Sequence, residues 1–77
     1  MKTLDYYSPQ QQHELDGHWA HHPHYDYVIL HTDQEPDHPD NTTVTTYHIG
    51  KPETVNVYTK DLTPHPELPA DINPNNC

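Results

Sequence analysis

Four histidines lie close together and form the densest group of potential metal ligands in the chain. They are His18, His21, His22 and His24, and Asp26 follows them as a carboxylate. Imidazole and carboxylate groups are ligands that divalent transition metals prefer. The segment does not have the H-E-x-x-H pattern of helical zinc sites, and it has no second, distant pair of ligands. A solvated histidine-rich loop therefore explains it as well as a metal-binding module does.

Carboxylates form the second group of potential functional residues. The chain has 12 Asp or Glu, 3 Lys and no Arg, and its formal net charge is −9. A surface with this balance repels phosphate, which argues against binding to nucleic acid through its backbone and against binding to an anionic membrane. It attracts a cationic partner, such as the positively charged cleft of a DNA-binding enzyme. We expect most of the carboxylates only to keep the surface soluble, with Asp5 and Glu14 as the exceptions.

Groups that could carry catalysis are hard to place. Ser8 is the only serine, and together with Pro9 it fits the start of a helix better than a nucleophile. Two glycines leave no glycine-rich loop for phosphate. The single cysteine, Cys77, allows neither a disulfide within the chain nor a cysteine-based zinc site. We expect a protein that is not an enzyme and that needs no cofactor.

The apolar composition limits the size of the fold. Leu, Ile and Val supply 12 of the 77 residues and Phe is missing, although six Tyr and one Trp add large amphipathic surfaces. This inventory suits one small domain. The sequence has no run of 18 apolar residues and no N-terminal signal peptide, so we expect a soluble, intracellular protein.

Local patterns predict an α+β fold, with a small antiparallel sheet of about four strands and one helix packed on it. The helix is predicted to start after Ser8 and to stop near Gly17. The predicted strands are a short edge strand, a central strand and a hairpin that turns at Gly50, Lys51 and Pro52, and they cover residues 2–7, 25–32, 42–49 and 54–60. Residues 18–24 and the acidic segment 33–41 are predicted loops.

The composition changes at Asp61, after which proline and asparagine dominate. Only Leu62, Leu68 and Ile72 could pack in this region. We expect a single domain over residues 1–61 and a disordered, flexible Pro/Asn-rich tail over residues 62–77.

The order of these features resembles the uracil-DNA glycosylase inhibitor family of bacteriophages that carry uracil-containing DNA. The resemblance covers roughly residues 4–61. The shared features, in order, are Leu4 and Asp5 on an edge strand, a helix from Pro9 to Gly17, a central strand ending in His31 and Thr32, an acidic loop ending at Asn41, and Lys51 and Pro52 before a strand with Val55 and Val57. The chain departs from the family in its missing first helix, its histidine-rich loop and its tail. Two helix positions that are acidic in the family are Gln10 and Gln11 here.

The resemblance implies a phage-encoded 1:1 inhibitor of the glycosylase that acts in the host cytoplasm. Such inhibitors lay an edge strand in the DNA-binding cleft of the enzyme, where acidic groups take the places of DNA phosphates. They also enclose the apolar side chain that the enzyme inserts into DNA. The resemblance assigns the phosphate-like role to Asp5 with Leu4 beside it, the apolar pocket to Leu15, Leu30 and Val44, and the rim of that pocket to Gln11 and Glu14.

Other interpretations stay open at this point. The chain also suits an acidic DNA mimic directed at another DNA-binding enzyme of host defence, a metal-binding module in the histidine-rich loop, or a largely disordered acidic segment. The three apolar pocket residues equally suit an ordinary core, because a pocket and a core share a wall.

Overall fold

The fold is a five-stranded antiparallel sheet with little helix, as described by a computed structural model of the chain. The structure describes residues 2–47, 51–69 and 71–76. The elements in chain order are the 3-10 turn η1 (Leu4–Tyr6), helix α1 (Pro9–Glu14), strands β1 (Trp19–His22), β2 (Asp26–Leu30), β3 (Asn41–Thr46) and β4 (Glu53–Tyr58), the 3-10 turn η2 (Thr59–Asp61), strand β5 (Thr63–His65) and the 3-10 turn η3 (Pro74–Asn76).

The strand order is β4-β3-β2-β1-β5, and every neighbouring pair is antiparallel. The predicted central strand is confirmed, because β2 lies in the middle of the sheet. The predicted hairpin is also confirmed, since β3 and β4 pair from Asn41 opposite Tyr58 to Thr46 opposite Glu53. His48, Ile49 and Gly50, at the predicted strand end and turn, lie outside the described residues, as does Cys77.

Helix α1 begins where the sequence predicts. Ser8 is its N-cap: the Gln11 backbone N–H donates to Ser8 Oγ over 3.2 Å, and the Ser8 N–H donates to Gln11 Oε1 over 3.1 Å. This reciprocal pair is a capping box, and Pro9 occupies the first helical turn. The helix is shorter than predicted because i−3 hydrogen bonds tighten its end. Gly17 follows with a φ of +82°, a conformation that favours glycine.

The predicted edge strand over residues 2–7 is wrong. Tyr6 N–H donates to the Thr3 carbonyl and Tyr7 N–H to the Leu4 carbonyl, which closes the turn η1. The Thr3 hydroxyl donates to the Asp5 carboxylate, a local bond that competes with an extended backbone. Leu4 is buried and its N–H donates to the carbonyl of Leu62. The first segment therefore packs on the core and adds no strand to the sheet.

The predicted loop over residues 18–24 is also wrong, because it contains β1. Ala20 and His22 lie on one face of this strand, and Trp19 and His21 lie on the other. Trp19, Ala20 and His22 are buried. The histidines conceal the alternation from a hydropathy pattern, although the backbone forms a regular ladder with β2.

A fifth strand corrects the predicted mostly unstructured tail. Thr63, Pro64 and His65 pair with β1, opposite His21, Ala20 and Trp19 respectively. Proline lacks an N–H, so within a sheet it suits an edge strand such as β5. Leu62, just before the strand, is 0% exposed in the core. The sheet and its core therefore extend beyond residue 61.

The core lies on one face of the sheet. Its buried side chains come from η1, four strands and the residue just before β5, and they are Leu4, Ala20, Val28, Leu30, Val44, Val57 and Leu62. Tyr7 and Leu15, which flank α1, pack against this cluster. The helix is thus held through its ends, since none of its own residues is buried.

The C-terminal segment covers part of the opposite face. Trp19 is 2% exposed, and its indole Nε1–H donates to the carbonyl of Pro69 over 2.9 Å. Tyr47 lies against the same indole, with ring centroids 5.8 Å apart. In the described segments, no helix is long and apolar enough to cross a membrane.

Candidate functional site

A cleft of about 600 Å³ opens where η1, the acidic loop 33–40, the first residues of β3 and η2 meet. Asp5 reaches it from η1, and Asp40 reaches it from the end of the loop. Asn41 and Tyr58, which face each other across the β3–β4 ladder, contribute walls, and Lys60 follows on η2. We call this site the acidic cleft.

The acidic loop is fixed to the rest of the fold on both sides of the cleft. The Thr59 N–H donates to the carbonyl of Asp40 over 2.9 Å, and Asn41 N–H donates to the carbonyl of His38 over 2.9 Å. Further out, the side-chain amide of Asn56 donates to Asp37 Oδ2 over 3.3 Å. These bonds fix the loop backbone at Asp40, whose side chain remains exposed.

Further carboxylates continue from the cleft along the loop to the end of α1. Asp33, Glu35 and Asp37 are exposed. Asp33 N–H donates to Asp16 Oδ1 over 3.3 Å, and Asp33 Oδ1 lies 2.5 Å from His13 Nδ1. The loop is thereby tied to the helix end, and the two regions present one continuous acidic surface.

The wall of the acidic cleft contains two polar oxygens without partners. Thr32 Oγ1 and Asn41 Oδ1 are the buried side-chain oxygens that have no hydrogen-bond partner among the described residues. Both residues line the cleft. By contrast, the neighbouring hydroxyls of Thr42 and Thr59 are paired with each other over 2.6 Å. Both atoms are buried within the wall, so they do not face the open space of the cleft.

A second, shallower depression of about 200 Å³ lies beside α1. Its walls are Tyr7, Gln11, Glu14 and Leu15. Leu15 and Tyr7 give it an apolar base that continues into the core. Gln11 is held there by the capping box with Ser8, so its position is fixed by the start of the helix. We call this site the α1 depression.

The structure distributes the seven predicted contact residues among three places. Asp5 lines the acidic cleft, where it projects from a 3-10 turn and not from an edge strand. Gln11, Glu14 and Leu15 come together in the α1 depression. The remaining three are core residues that are each 0% exposed, namely Leu4, Leu30 and Val44.

The histidines of residues 18–24 do not converge on one point. His21 and His22 project from opposite faces of β1, as neighbouring strand residues must. His22 Nδ1 accepts hydrogen bonds from the backbone N–H groups of His24 and Tyr25. Among the described residues, no group of three or more His, Cys, Asp or Glu is arranged to hold a metal ion. This arrangement gives the metal-binding interpretation no support.

Burial lowers the pKa of His22 below its usual value of 6.5. The carboxylate of Asp61 opposes this effect, and the neighbouring His24 and His21 add to it. A neutral ring agrees with the two N–H groups that point at Nδ1, because a protonated nitrogen cannot accept them. The histidine group is therefore integrated into the fold through His22.

Sequence reasoning missed several cleft residues. Thr32 and Asn41 appear in it only as the end of a strand and the end of a loop, and Tyr58 and Lys60 only as strand residues. Their signal is positional: each lies at the junction of a strand with a loop or turn, where side chains from distant segments meet.

Comparison with models of protein families, with curated proteins and with solved structures finds no match to this chain.

Proposed function

We propose that the protein is a stoichiometric inhibitor that binds the basic DNA-binding cleft of an enzyme, with uracil-DNA glycosylase as its first target. The observation that carries this proposal is the acidic cleft. It brings Asp5 and Asp40 together from distant parts of the chain, and the acidic loop continues their charge. A formal net charge of −9 adds a long-range field of the same sign.

The geometry suits recognition of a surface that normally holds phosphates. The carboxylates of the acidic loop are held on a backbone fixed to η2 through the Thr59–Asp40 hydrogen bond. Such preorganisation reduces the entropy lost on binding. Opposite charge on the enzyme would accelerate the encounter, and this gain falls as salt screens it.

The α1 depression supplies the second part of the proposed interface. An apolar side chain from the enzyme, seated on Leu15 and Tyr7, would be shielded from water by Gln11 and Glu14 at the rim. A buried apolar anchor mainly slows dissociation and keeps its effect in salt. In this proposal the phosphate-like carboxylates come from a turn and a loop, while the anchor site lies beside the helix.

The test is excision of uracil from single-stranded DNA by a bacterial uracil-DNA glycosylase that has been preincubated with the protein. We expect activity to be lost near equimolar protein and to stay lost in high salt. The double substitution Asp5→Asn, Asp40→Asn should slow association, whereas Glu53→Gln, Glu67→Gln removes the same charge away from both sites and should slow it less. Full activity at a large excess of protein would reject the glycosylase as the target.

The same acidic surface suits other enzymes with basic DNA-binding clefts. A nuclease assay run in parallel with the same variants separates the two cases. Inhibition of the nuclease alone, with the same dependence on Asp5 and Asp40, would keep the inhibitory mechanism and change the target.

A further inference from the structure

The two edges of the sheet are formed by β4 and β5, and they differ in how open they are. We infer that the open edge of β4 is an interaction surface for a second copy of this chain. The two β4 strands pair antiparallel across a twofold axis, which joins the two five-stranded sheets into one. The inference does not depend on the proposed function.

The β5 edge is protected, whereas the β4 edge is not. Strand β5 has three residues, and one of them is Pro64, which has no N–H group to offer a further strand. Strand β4 has six residues and contains no proline. Within the described part of the chain, its only neighbour in the sheet is β3. A long strand edge without such protection pairs readily with another chain.

The main-chain groups of β4 face β3 and the open edge in alternation. His31 N–H donates to the carbonyl of Thr43, so the main chain of Thr43 faces β2 and that of its partner Asn56 faces away from β3. Thr54 lies two residues earlier and therefore faces the same way. The N–H and C=O groups of Thr54 and Asn56 have no hydrogen-bond partner within the described segments. They are free to pair with an added strand.

One symmetric register uses this edge fully. It places Asn56 opposite Asn56 of the second copy, and Thr54 opposite Tyr58 of the second copy. A shift of two residues in one direction would bring Pro52, which has no N–H, opposite Tyr58. In the favoured register Tyr58, whose side chain is 56% exposed, gains a β-branched neighbour in Thr54. Pairs of aromatic and β-branched side chains across strands stabilise a sheet.

The apolar side of β4 also matches itself in this register. Val55 lies opposite Val57 of the second copy, on the face of the sheet that carries the core. Val57 is buried, and Val55 is only partly buried and packs against the core cluster. The apolar row of one core would thus continue into the other, and the exposed part of Val55 would be removed from water.

The charges around β4 are balanced, in contrast to the rest of the chain. Segment 51–61 contains Lys51, Glu53, Lys60 and Asp61, whereas the whole chain has a formal net charge of −9. In an antiparallel pair the start of one strand meets the end of the other. Each end therefore brings Lys51 and Glu53 beside Lys60 and Asp61 of the second copy, where opposite charges attract. This self-complementarity is the reason that a second copy fits the edge.

One carboxylate opposes the dimer near its centre. Asn56 Nδ2 donates to Asp37 Oδ2 over 3.3 Å, so Asp37 of both copies lies near the twofold axis. These two carboxylates and the net charge of −9 on each copy repel one another. Because salt screens this repulsion, the dimer should become more stable as the salt concentration rises.

The test is sedimentation equilibrium of the isolated protein over a range of concentrations, in about 0.05 M and about 0.5 M NaCl. A Cys77→Ser background prevents the terminal thiol from linking two copies. We expect a reversible equilibrium between monomer and dimer, with more dimer in high salt. A protein that remains monomeric in high salt up to a concentration of about 1 mM would overturn the inference.

A pair of substitutions at Asn56 separates main-chain pairing from side-chain contacts. Asn56→Pro removes the N–H at the centre of the interface and takes no hydrogen bond from the β3–β4 ladder, so it should weaken the dimer by at least about 10-fold. Asn56→Ala removes the same side chain but keeps the N–H, and it should weaken the dimer less. Circular dichroism checks that both variants stay folded. Equal dimerisation of the two folded variants would rule out pairing through the β4 edge.

The charge near the axis is tested by a second pair. Asp37→Asn should strengthen the dimer by about 3-fold in low salt, because it removes a repulsion close to the axis. Asp71→Asn removes the same charge from the C-terminal segment and should have a smaller effect. Equal effects of these two substitutions would contradict the placement of Asp37 at the interface.

Cross-linking tests the register and does not depend on a proline substitution. Asn56→Cys should be joined to its copy by a short bifunctional thiol reagent, because residues paired directly across two strands are close. Thr54→Cys is the control: Thr54 lies opposite Tyr58, so its own copy is roughly 13 Å away along the strand. Cross-linking that is as efficient at position 54 as at position 56 would reject the proposed dimer.

Discussion

The side-chain amide of Asn75 takes the place of a strand neighbour for Tyr27. Tyr27 N–H donates to Asn75 Oδ1 over 3.3 Å, and Asn75 Nδ2 donates to the Tyr27 carbonyl over 2.9 Å. Tyr27 lies one position before Val28, where the pairing of β2 with β3 begins. The amide therefore satisfies the main chain just beyond the end of the β2–β3 ladder, and it ties the C-terminal segment to the centre of the sheet.

The first prediction concerns this tie. Asn75→Ala removes two hydrogen bonds and leaves the Tyr27 backbone without its partner, so it should lower the free energy of unfolding by about 1–3 kcal/mol. Urea unfolding followed by Trp19 fluorescence measures the loss. The indole of Trp19 donates to the carbonyl of Pro69, which belongs to the same C-terminal segment as Asn75, so its fluorescence reports on that segment. Asp71→Ala, at an exposed position nearby, is the control and should have an effect within about 0.5 kcal/mol. Equal stability of the two variants would contradict the role of Asn75.

The second prediction concerns stability in mild acid. Burial holds the pKa of His22 below the value of 6.5 that applies to the unfolded chain. Below pH 6.5 the unfolded chain therefore binds more protons than the folded protein does. Stability should be unaffected by this residue above that pH, should fall as the pH drops from 6.5 towards the pKa of the folded state, and should level off below it. Thermal unfolding followed by circular dichroism between about pH 7.5 and 5.5 measures the change.

A matched pair of variants tests whether His22 causes this loss of stability in acid. His22→Asn keeps an acceptor for the His24 and Tyr25 N–H groups but cannot take up a proton in this range, so the loss of stability in acid should become smaller. His38→Asn is the control, because it replaces an exposed imidazole and removes no buried ring. If the acid-induced loss is the same in both variants, His22 is not its source.

Local patterns predict the elements whose determinants are local. The pair Ser8 and Pro9 marks the start of α1, and the apolar run of β2 indicates its central position. Local patterns do not predict β1 and β5, and the reason is physical. The burial of His22 depends on backbone donors in the following turn, and Pro64 is acceptable in a strand only because that strand lies at an edge. Neither condition is visible in a hydropathy pattern.

The candidate site also combines residues that local patterns identify with contacts between distant segments, which they do not. The sequence singles out Asp5, yet it places this residue on a strand that the Thr3–Asp5 hydrogen bond and the burial of Leu4 replace with a turn. Asp40 joins Asp5 only because the Thr59 N–H fixes the loop against η2. A cleft formed by such long-range contacts cannot be found from spacing along the chain.

The third prediction separates the core from the α1 depression. Leu30→Ala should cost about 2–5 kcal/mol of stability, because Leu30 is fully buried in the core. Its neighbours on the same face of the sheet are Val28 on its own strand and Val44 on the paired strand. Leu15 is partly buried and packs against the core, so Leu15→Asp should cost some stability and, under the proposed function, should weaken inhibition by at least about 30-fold, with circular dichroism checking that the variant stays folded. Gln10→Asp adds the same charge at an exposed position of α1 and should leave inhibition nearly unchanged. Tight inhibition by a folded Leu15→Asp variant would exclude the depression as the anchor site.

The fourth prediction concerns the two roles of Gln11, which closes the capping box and forms part of the rim of the α1 depression. Gln11→Glu keeps an oxygen that accepts the Ser8 N–H and adds negative charge near the helix N-terminus, so stability should rise by about 0.3–1 kcal/mol. Ser8→Ala removes the Oγ that accepts from the Gln11 N–H, while the backbone N–H at position 8 can still donate to the side chain at position 11, and it should cost about 1 kcal/mol. In the double variant Ser8→Ala, Gln11→Glu the gain in stability from the added carboxylate should shrink, because the carboxylate then lacks the cap that orients it. Urea unfolding of the wild type, the two single variants and the double variant measures this coupling. Strict additivity would show that the Gln11→Glu substitution acts through its added charge alone.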